Sequence, residues 1–307
     1  MNAVFLSEEI HRDLVKKSNE KLIKILTSSR YHLRKAIFKE YLQSYGEEFQ
    51  NYLPDGDFKT LVEFSLMHPS YLNAYCLYEA LYQKEIDKKL IGDILATLNN
   101  DEIVETRQAY QQVMIDWETK MCTLECDISE KLTGLFKNIC LSLVYGRREK
   151  SSFNSDLEVS RKLARTLFEA CEGRATPDKR AFIKVFTNEN KIMLNLVMKA
   201  YKEFTGGLSC EDTIQDEFNG VERKTILLAV QFEMNKYESY CDQLNDSIQD
   251  YGRDLKNLIR IILTRSEIDL DQIKRQFIKK HGRSLKQAID DATTDDFKAF
   301  LVGFCRD

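Results

Sequence analysis

One helical hairpin recurs four times in this chain, and that recurrence limits the fold more than any other feature. The last copy runs from Leu258 to Gly282 and reads LIRIILTRSEIDLDQIKRQFIKKHG. Leu258, Ile261 and Ile262 fall at i, i+3 and i+4, one apolar face of a helix. Ile268, Ile273, Phe277 and Ile278 mark a second helix, with charged residues between them. Ser266 followed three residues later by Asp269 predicts a capping box at the start of that helix. Gly282, five residues past Phe277, predicts a left-handed cap at its end. The copies align on an aromatic residue of the second helix, Tyr41, Tyr110, Tyr201 and Phe277, at spacings of 69, 91 and 76 residues. Nineteen residues before each begins an apolar triplet: Leu22/Ile25/Leu26, Ile91/Ile94/Leu95, Phe182/Val185/Phe186 and Leu258/Ile261/Ile262. Five residues after it come Gly46, Gly206 and Gly282, with Ile115 the exception in the second copy. A long helical period of this kind marks a tandem repeat, in which each unit completes its core on its neighbours.

Composition agrees. With 3 Pro and 12 Gly in 307 residues, punctuation is sparse and long helices on short loops are expected. The net charge of −4 argues against a general nucleic-acid binder. Eight Cys without a signal-peptide pattern at the N-terminus predict reduced thiols in a cytoplasmic protein. No run of 18 apolar residues occurs, so membrane contact would be peripheral. Along the chain, the first helix is expected from an N-cap at Ser7 to about Lys17. A helix is expected to begin at Glu47–Tyr52, and the turn Pro54-Asp55-Gly56-Asp57 precedes a helix at Phe58–Met67. The second repeat should have an unusually long fourth helix around Trp117–Asp127, with Trp117 a core residue. The all-α chain divides into repeats at 1–68, 69–145, 155–234 and 235–307, with a polar linker at 146–154.

Thr264-Arg265-Ser266-Glu267-Ile268-Asp269-Leu270, at the corner of a fourth repeat, resembles the annexin family. Repeat length, repeat count and apolar spacing agree with it over nearly the whole chain, and the divergence is similar to that of the alpha-giardins. The resemblance implies four five-helix repeats in a curved array, non-catalytic, binding acidic phospholipid membranes through Ca²⁺. It also implies two ligand loops per repeat. The first reads roughly Lys-Gly-x-Gly-Thr and offers carbonyls; the second, acid-x-x-Gly, offers a carboxylate. Ca²⁺ wants six to eight oxygens, and a lipid phosphate can complete the shell.

In that frame the loops here are unevenly kept. Repeat three has Gly173-Arg174-Ala175-Thr176 and Glu217-Phe218-Asn219-Gly220, so Cys171, Gly173, Ala175, Thr176 and Glu217 are the leading metal ligands. Read blandly, Gly173 is a helix C-cap and Glu217 a surface acid. Repeats one, two and four carry Leu53, Lys131 and Ala292 at the acid position. Asp55 and Asp57, Asp250 and Gly252, and Asp291 with Asp290 are weaker candidates. Basic residues mark every first loop, Lys16 and Lys17, Lys84 and Lys88, Arg174, and Arg253, either as a lipid-facing set or as solvated charges among acids. Arg265 is expected to be structural, bonding helix-end carbonyls or a carboxylate. Cys122 and Cys126 lack the further ligands of a zinc set, and no nucleotide, metalloprotease or nucleophile motif occurs. The competing expectation is a helical scaffold or cytoskeleton-associated protein that has lost most calcium sites.

Overall fold

The computed structural model describes residues 2–118, 120–146, 148, 156–171, 177–249 and 254–305. Among them run nineteen α-helices and one 3-10 turn, with no strand. They fall into groups of five. The first holds α1 (Ala3–Val15), α2 (Glu20–Ser28), α3 (Tyr31–Tyr45), the 3-10 turn Phe49–Tyr52 and α4 (Asp57–Ser65). The second holds α5 (Pro69–Tyr82), α6 (Lys88–Leu95), α7 (Asn100–Glu118), α8 (Leu124–Lys131) and α9 (Gly134–Val144). The third holds α10 (Leu157–Cys171), α11 (Lys179–Asn188), α12 (Lys191–Phe204), α13 (Cys210–Glu217) and α14 (Gly220–Met234). The fourth holds α15 (Lys236–Gln249), α16 (Leu255–Arg265), α17 (Leu270–His281), α18 (Leu285–Ala292) and α19 (Asp295–Phe304).

The repeat alignment holds at the level of side chains. Tyr41, Tyr110, Tyr201 and Phe277 are all fully buried, and every residue of the four apolar triplets is buried. Gly46, Gly206 and Gly282 sit at φ 74°, 70° and 70°, the left-handed cap that glycine adopts without a Cβ penalty.

Two compact units emerge. One comprises Met1–Asn73 with Tyr240–Asp307, the other Ala74–Ser239. In the first, α2 packs on α19 and α16 on α4 and α19. Gly303 makes the α2–α19 approach close: a Cβ there would lie 2.7 Å from Thr27. In the second, α6 packs on α14 and α11 on α9 and α14, and a Cβ on Gly92 would clash with Thr225.

Each unit contains the same arginine bracket. In the first, Arg34 donates to the carbonyls of Ser29 (2.6 Å) and Ser65 (2.7 Å), the ends of α2 and α4. Glu267 accepts from Arg34 at 3.2 Å and from the Tyr31 amide that opens α3. In the second, Arg148 donates to Glu189 (2.8 Å) and Ala229 (3.1 Å). Glu233 lies 3.5 Å from Arg148 and accepts from the Lys191 amide that opens α12. Helix C-termini concentrate unsatisfied carbonyls and partial negative charge. A guanidinium with several donors in a fixed fork serves two such ends at once in Arg34; Arg148 serves the end of α11 and a carbonyl within α14.

Several sequence expectations are corrected. α1 starts at Ala3 because Asn2 caps it, accepting from the Val4 amide at 3.2 Å. Ser7 is buried within that helix, its hydroxyl bonded to the Val4 carbonyl, the back-bonding that lets serine sit inside a helix. Glu47–Tyr52 contributes only the 3-10 turn. The extra length of the second repeat lies in α7, its third helix, rather than the fourth. Trp117 is 53% exposed and not core. Ile268 and Ile278 are also exposed. The capping box at Ser266 does not form: Arg265 takes the Asp269 carboxylate with two bonds of 2.7 and 2.8 Å. Ser266 instead donates to the Leu263 carbonyl. Arg265 has the structural role expected of it, buried with that carboxylate and 5.1 Å from the Tyr240 ring centroid.

Candidate functional site

The second loop of repeats two, three and four has one backbone course. The helix before it ends in an extended residue, Leu132, Phe218 or Thr293, followed by extended Thr133, Asn219 or Thr294. The next residue is left-handed: Gly134 at φ 65°, Gly220 at 51° and Asp295 at 54°. Asp295 keeps that turn without glycine, which aspartate tolerates better than most residues. In repeat one Gly56 has φ 146° and ψ −173°, a different turn, permitted by glycine alone.

In repeat three, α10 ends at buried Cys171, and the Asp178 amide donates to the Ala170 carbonyl at 2.8 Å. The two ends of the first loop are thereby tied. Asp178 caps α11 through the Arg180 amide. Gly173, Arg174, Ala175 and Thr176 lie outside the described residues. Glu217 is the last residue of α13 and half-buried. Lys179, the first residue of α11, donates from its ammonium to the Glu217 carbonyl and lies 5.5 Å from the Phe218 ring centroid. The two loops of repeat three thus adjoin through Lys179. The residues fit a divalent cation in part: a half-exposed carboxylate stands beside a tight turn, with a fixed positive charge close to it.

Repeat two has an ammonium on the corresponding residue. Lys131, in the position of Glu217, places Nζ 3.6 Å from the ring centroid of Tyr82, the last residue of α5. Beneath it, Asp127 is fully buried and accepts from Tyr110 (2.7 Å) and Tyr82 (3.2 Å). Burial and that carboxylate push the Tyr110 phenol far above its ordinary pKa. Asp87 caps α6, and its amide donates to Ala80 at 3.0 Å, the same tie as Asp178 to Ala170.

The weaker candidates are engaged elsewhere or lie outside view. Asp55 is held by Lys59 at 2.9 Å, which keeps its carboxyl below the usual carboxylate range. Asp57 is exposed in the first turn of α4. Asp291 lies 3.8 Å from Arg283, and Asp290 3.5 Å from Lys298. Asp250, Gly252 and Arg253 lie outside the described residues. Of the basic set, Lys16, Lys17, Lys84 and Lys88 are exposed, and Lys17 is left-handed at φ 58°. Among the described residues no three His, Cys, Asp or Glu side chains converge as a metal cluster. Two features escaped the sequence reading, the closeness of Lys179 to Glu217 and the seat of Lys131 on Tyr82. Both join residues more than thirty positions apart, and only the repeat alignment could have paired those loops.

The family model "Annexin" matches residues 239–304. Annexin A13 of Mus musculus is 30% identical over 284 residues, spanning 92% of this chain and 87% of that protein. The solved structure of annexin III superposes with a TM-score of 0.88 at 27% identity, covering 99% of this chain and 94% of that one. Calcium-bound alpha-14 giardin is similar in fold, with a TM-score of 0.76 at 19% identity over 98% of both chains. The five-helix groups, the buried rings at the repeat positions and this identity over nearly the full length agree: the chain belongs to the annexin family.

Proposed function

We propose that this protein binds acidic phospholipid surfaces peripherally and in a calcium-dependent way, with repeat three as its strongest calcium site. The observation that carries the reading is Glu217, a half-buried carboxylate three residues before the left-handed Gly220. Glu217 would supply the charge that offsets dehydration of a hard cation. Main-chain carbonyls of Cys171, Gly173, Ala175 or Thr176 would complete the protein's share, leaving positions for a lipid phosphate. Exposed Lys16, Lys17, Lys84 and Lys88, with Arg174 and Arg253, add attraction of about 1 kcal/mol each near an anionic surface. The protein is non-catalytic in this reading and works in the cytoplasm, at a membrane face.

A second reading, a helical scaffold or cytoskeletal partner with lost calcium sites, is favoured by the ammonium groups of Lys131 and Lys179 beside Tyr82 and Glu217. Co-sedimentation with phosphatidylserine vesicles, with calcium and with chelator, separates the two. Calcium-dependent pelleting is expected, and Glu217→Gln should raise the calcium needed by roughly tenfold or more without moving the apo melting temperature. Wild-type calcium dependence in that variant would remove Glu217 from the site. Absence of pelleting under both conditions would favour the scaffold.

A further inference from the structure

The groove between α9 and α11 is cationic and has no carboxylate in its lining. Asn138 and Ser142 of α9 face Arg180, Ile183, Lys184 and Asn188 of α11 across a volume of about 360 Å³, within the size range of small-ligand sites. A bond of 2.7 Å between the hydroxyls of Ser142 and Thr187 joins the two helices along it. The helices read GLFKNICLSLV and KRAFIKVFTN, with no acid in either. The acids next to them in sequence, Asp178 and Glu189, stand at the two caps of α11. Arg180 and Lys184 are exposed, and among the described residues neither has a carboxylate within 4.0 Å.

The equivalent positions of the other repeats carry a different charge pattern. Counted from the apolar triplets, Arg180 and Lys184 align with Glu20 and Lys24 of α2 and with Lys89 and Asp93 of α6, the latter pair joined at 2.8 Å. Between α2 and α19 the corresponding groove holds Glu20 and Asp296 beside Lys17 and Lys24. In repeat four Lys256 and Arg260 align there, and Arg260 is buried with its guanidinium on Asn257. Repeat three alone therefore presents two exposed cations one helical turn apart without an acid between them. Like charges at that spacing repel, and cations in a first turn oppose the helix dipole. A bound anion relieves both. A cleft lined by one sign of charge also gathers counter-ions of the other. The guanidinium fork matches the oxygens of a phosphate, and the ammonium adds a point charge. We propose that the α9–α11 groove binds a phosphate group without a metal, with Arg180 and Lys184 as its charged ligands and Asn138 as a neutral donor. The group could arrive on a soluble phosphate ester or on a phosphorylated lipid headgroup, since the chemistry recognised is the same. Glu217 and calcium take no part in it.

The test is calorimetric titration in chelator with inositol 1,4,5-trisphosphate, beside co-sedimentation in chelator with phosphatidylcholine vesicles that contain phosphatidylinositol 4,5-bisphosphate. Binding is expected in at least one arm. Heat in the first identifies a soluble ester as sufficient, and pelleting without heat identifies the headgroup on its bilayer. Arg180→Gln and Lys184→Gln should each weaken that binding about tenfold and melt no lower than wild type, because each removes a like charge at an exposed position. Lys89→Gln, the equivalent change in repeat two where Asp93 already holds the ammonium, should leave it unchanged, as should Glu217→Gln. No binding in either arm would overturn the phosphate site and leave the calcium reading standing. Equal weakening by Lys89→Gln would also overturn it, by showing a general response to positive charge. Loss of calcium-dependent pelleting in Glu217→Gln, with trisphosphate binding intact, would separate the two sites.

Discussion

The ammonium of Lys179 bonds the main-chain carbonyl of Glu217, so in the calcium site proposed for repeat three it would stand as a positive charge near the ion. Unit charges about 4 Å apart interact by about 1 kcal/mol even at the dielectric of bulk water, and a divalent ion doubles that. Lys179→Met should therefore tighten calcium binding by roughly tenfold, read by calorimetric titration. It should also cost about 1 kcal/mol of stability, because the ammonium satisfies the end of α13. An unchanged titration would mean that the ion sits away from Glu217. Tyr110 offers a test at the same scale in repeat two. Its folded pKa is raised, first by burial and then by the bond to Asp127, so the folded state favours the neutral phenol. Stability from this group is intact below about pH 10, where the unfolded phenol titrates, and is lost as pH rises above it. Denaturant titrations at pH 9 and pH 11 should show that loss in the wild type and a smaller one in Tyr110→Phe. Equal losses would assign the alkaline sensitivity to other groups.

Helix packing between repeats turns on small residues. In α6, Gly92 meets Thr225 of α14 so closely that an added Cβ must displace it. Gly92→Ala gains up to about 1 kcal/mol of helix propensity but overpacks the contact, at a cost of about 1–3 kcal/mol. It should be destabilising alone and stabilising in a Thr225→Ala background, a coupling of at least about 1 kcal/mol in a double-mutant cycle. Additive effects would show that the helices part freely. What was legible in the sequence at this scale was what each helix carries within itself. The apolar triplets, the aromatic at the nineteenth position and the capping glycines follow from periodicity and from φ. The capping box at Ser266 misled because Asp269 had a stronger partner one turn back in Arg265, and a charge-assisted bidentate pair outcompetes the single backbone N–H that a capping box offers the carboxylate. Trp117 misled because hydrophobicity places a ring in the core by default, whereas α7 runs long enough to carry it out to the surface. The left-handed Asp295 left no mark in composition; only its alignment with Gly134 and Gly220 reveals the turn.

Across the whole chain, the arginine brackets show that the repeats preserve geometry by different sequence routes. Arg34 comes from the third helix of its own repeat, whereas Arg148 precedes the repeat it braces. Glu267 comes from another repeat, whereas Glu233 belongs to the fifth helix of its own. The atoms served are nevertheless similar: a carbonyl at the end of the second helix, a carbonyl of the fifth (its last residue, Ser65, in α4, but Ala229 within α14), and the first amide of the third. Burial draws the pKa of both guanidinium groups down, with the facing glutamate opposing that fall, and arginine stays charged throughout. Replacing either with methionine keeps apolar bulk but leaves the carbonyls, two for Arg34 and three for Arg148, and one carboxylate without their cation, at a cost of about 3 kcal/mol. The location of the damage is the sharper expectation. Arg148→Met should raise amide hydrogen exchange in α11, α12 and α14 and leave α2, α3 and α4 near wild type, and Arg34→Met should do the reverse. Exchange raised equally in both sets would mean that the chain opens only as one cooperative whole, and that the brackets act on global stability rather than on the helix ends they touch.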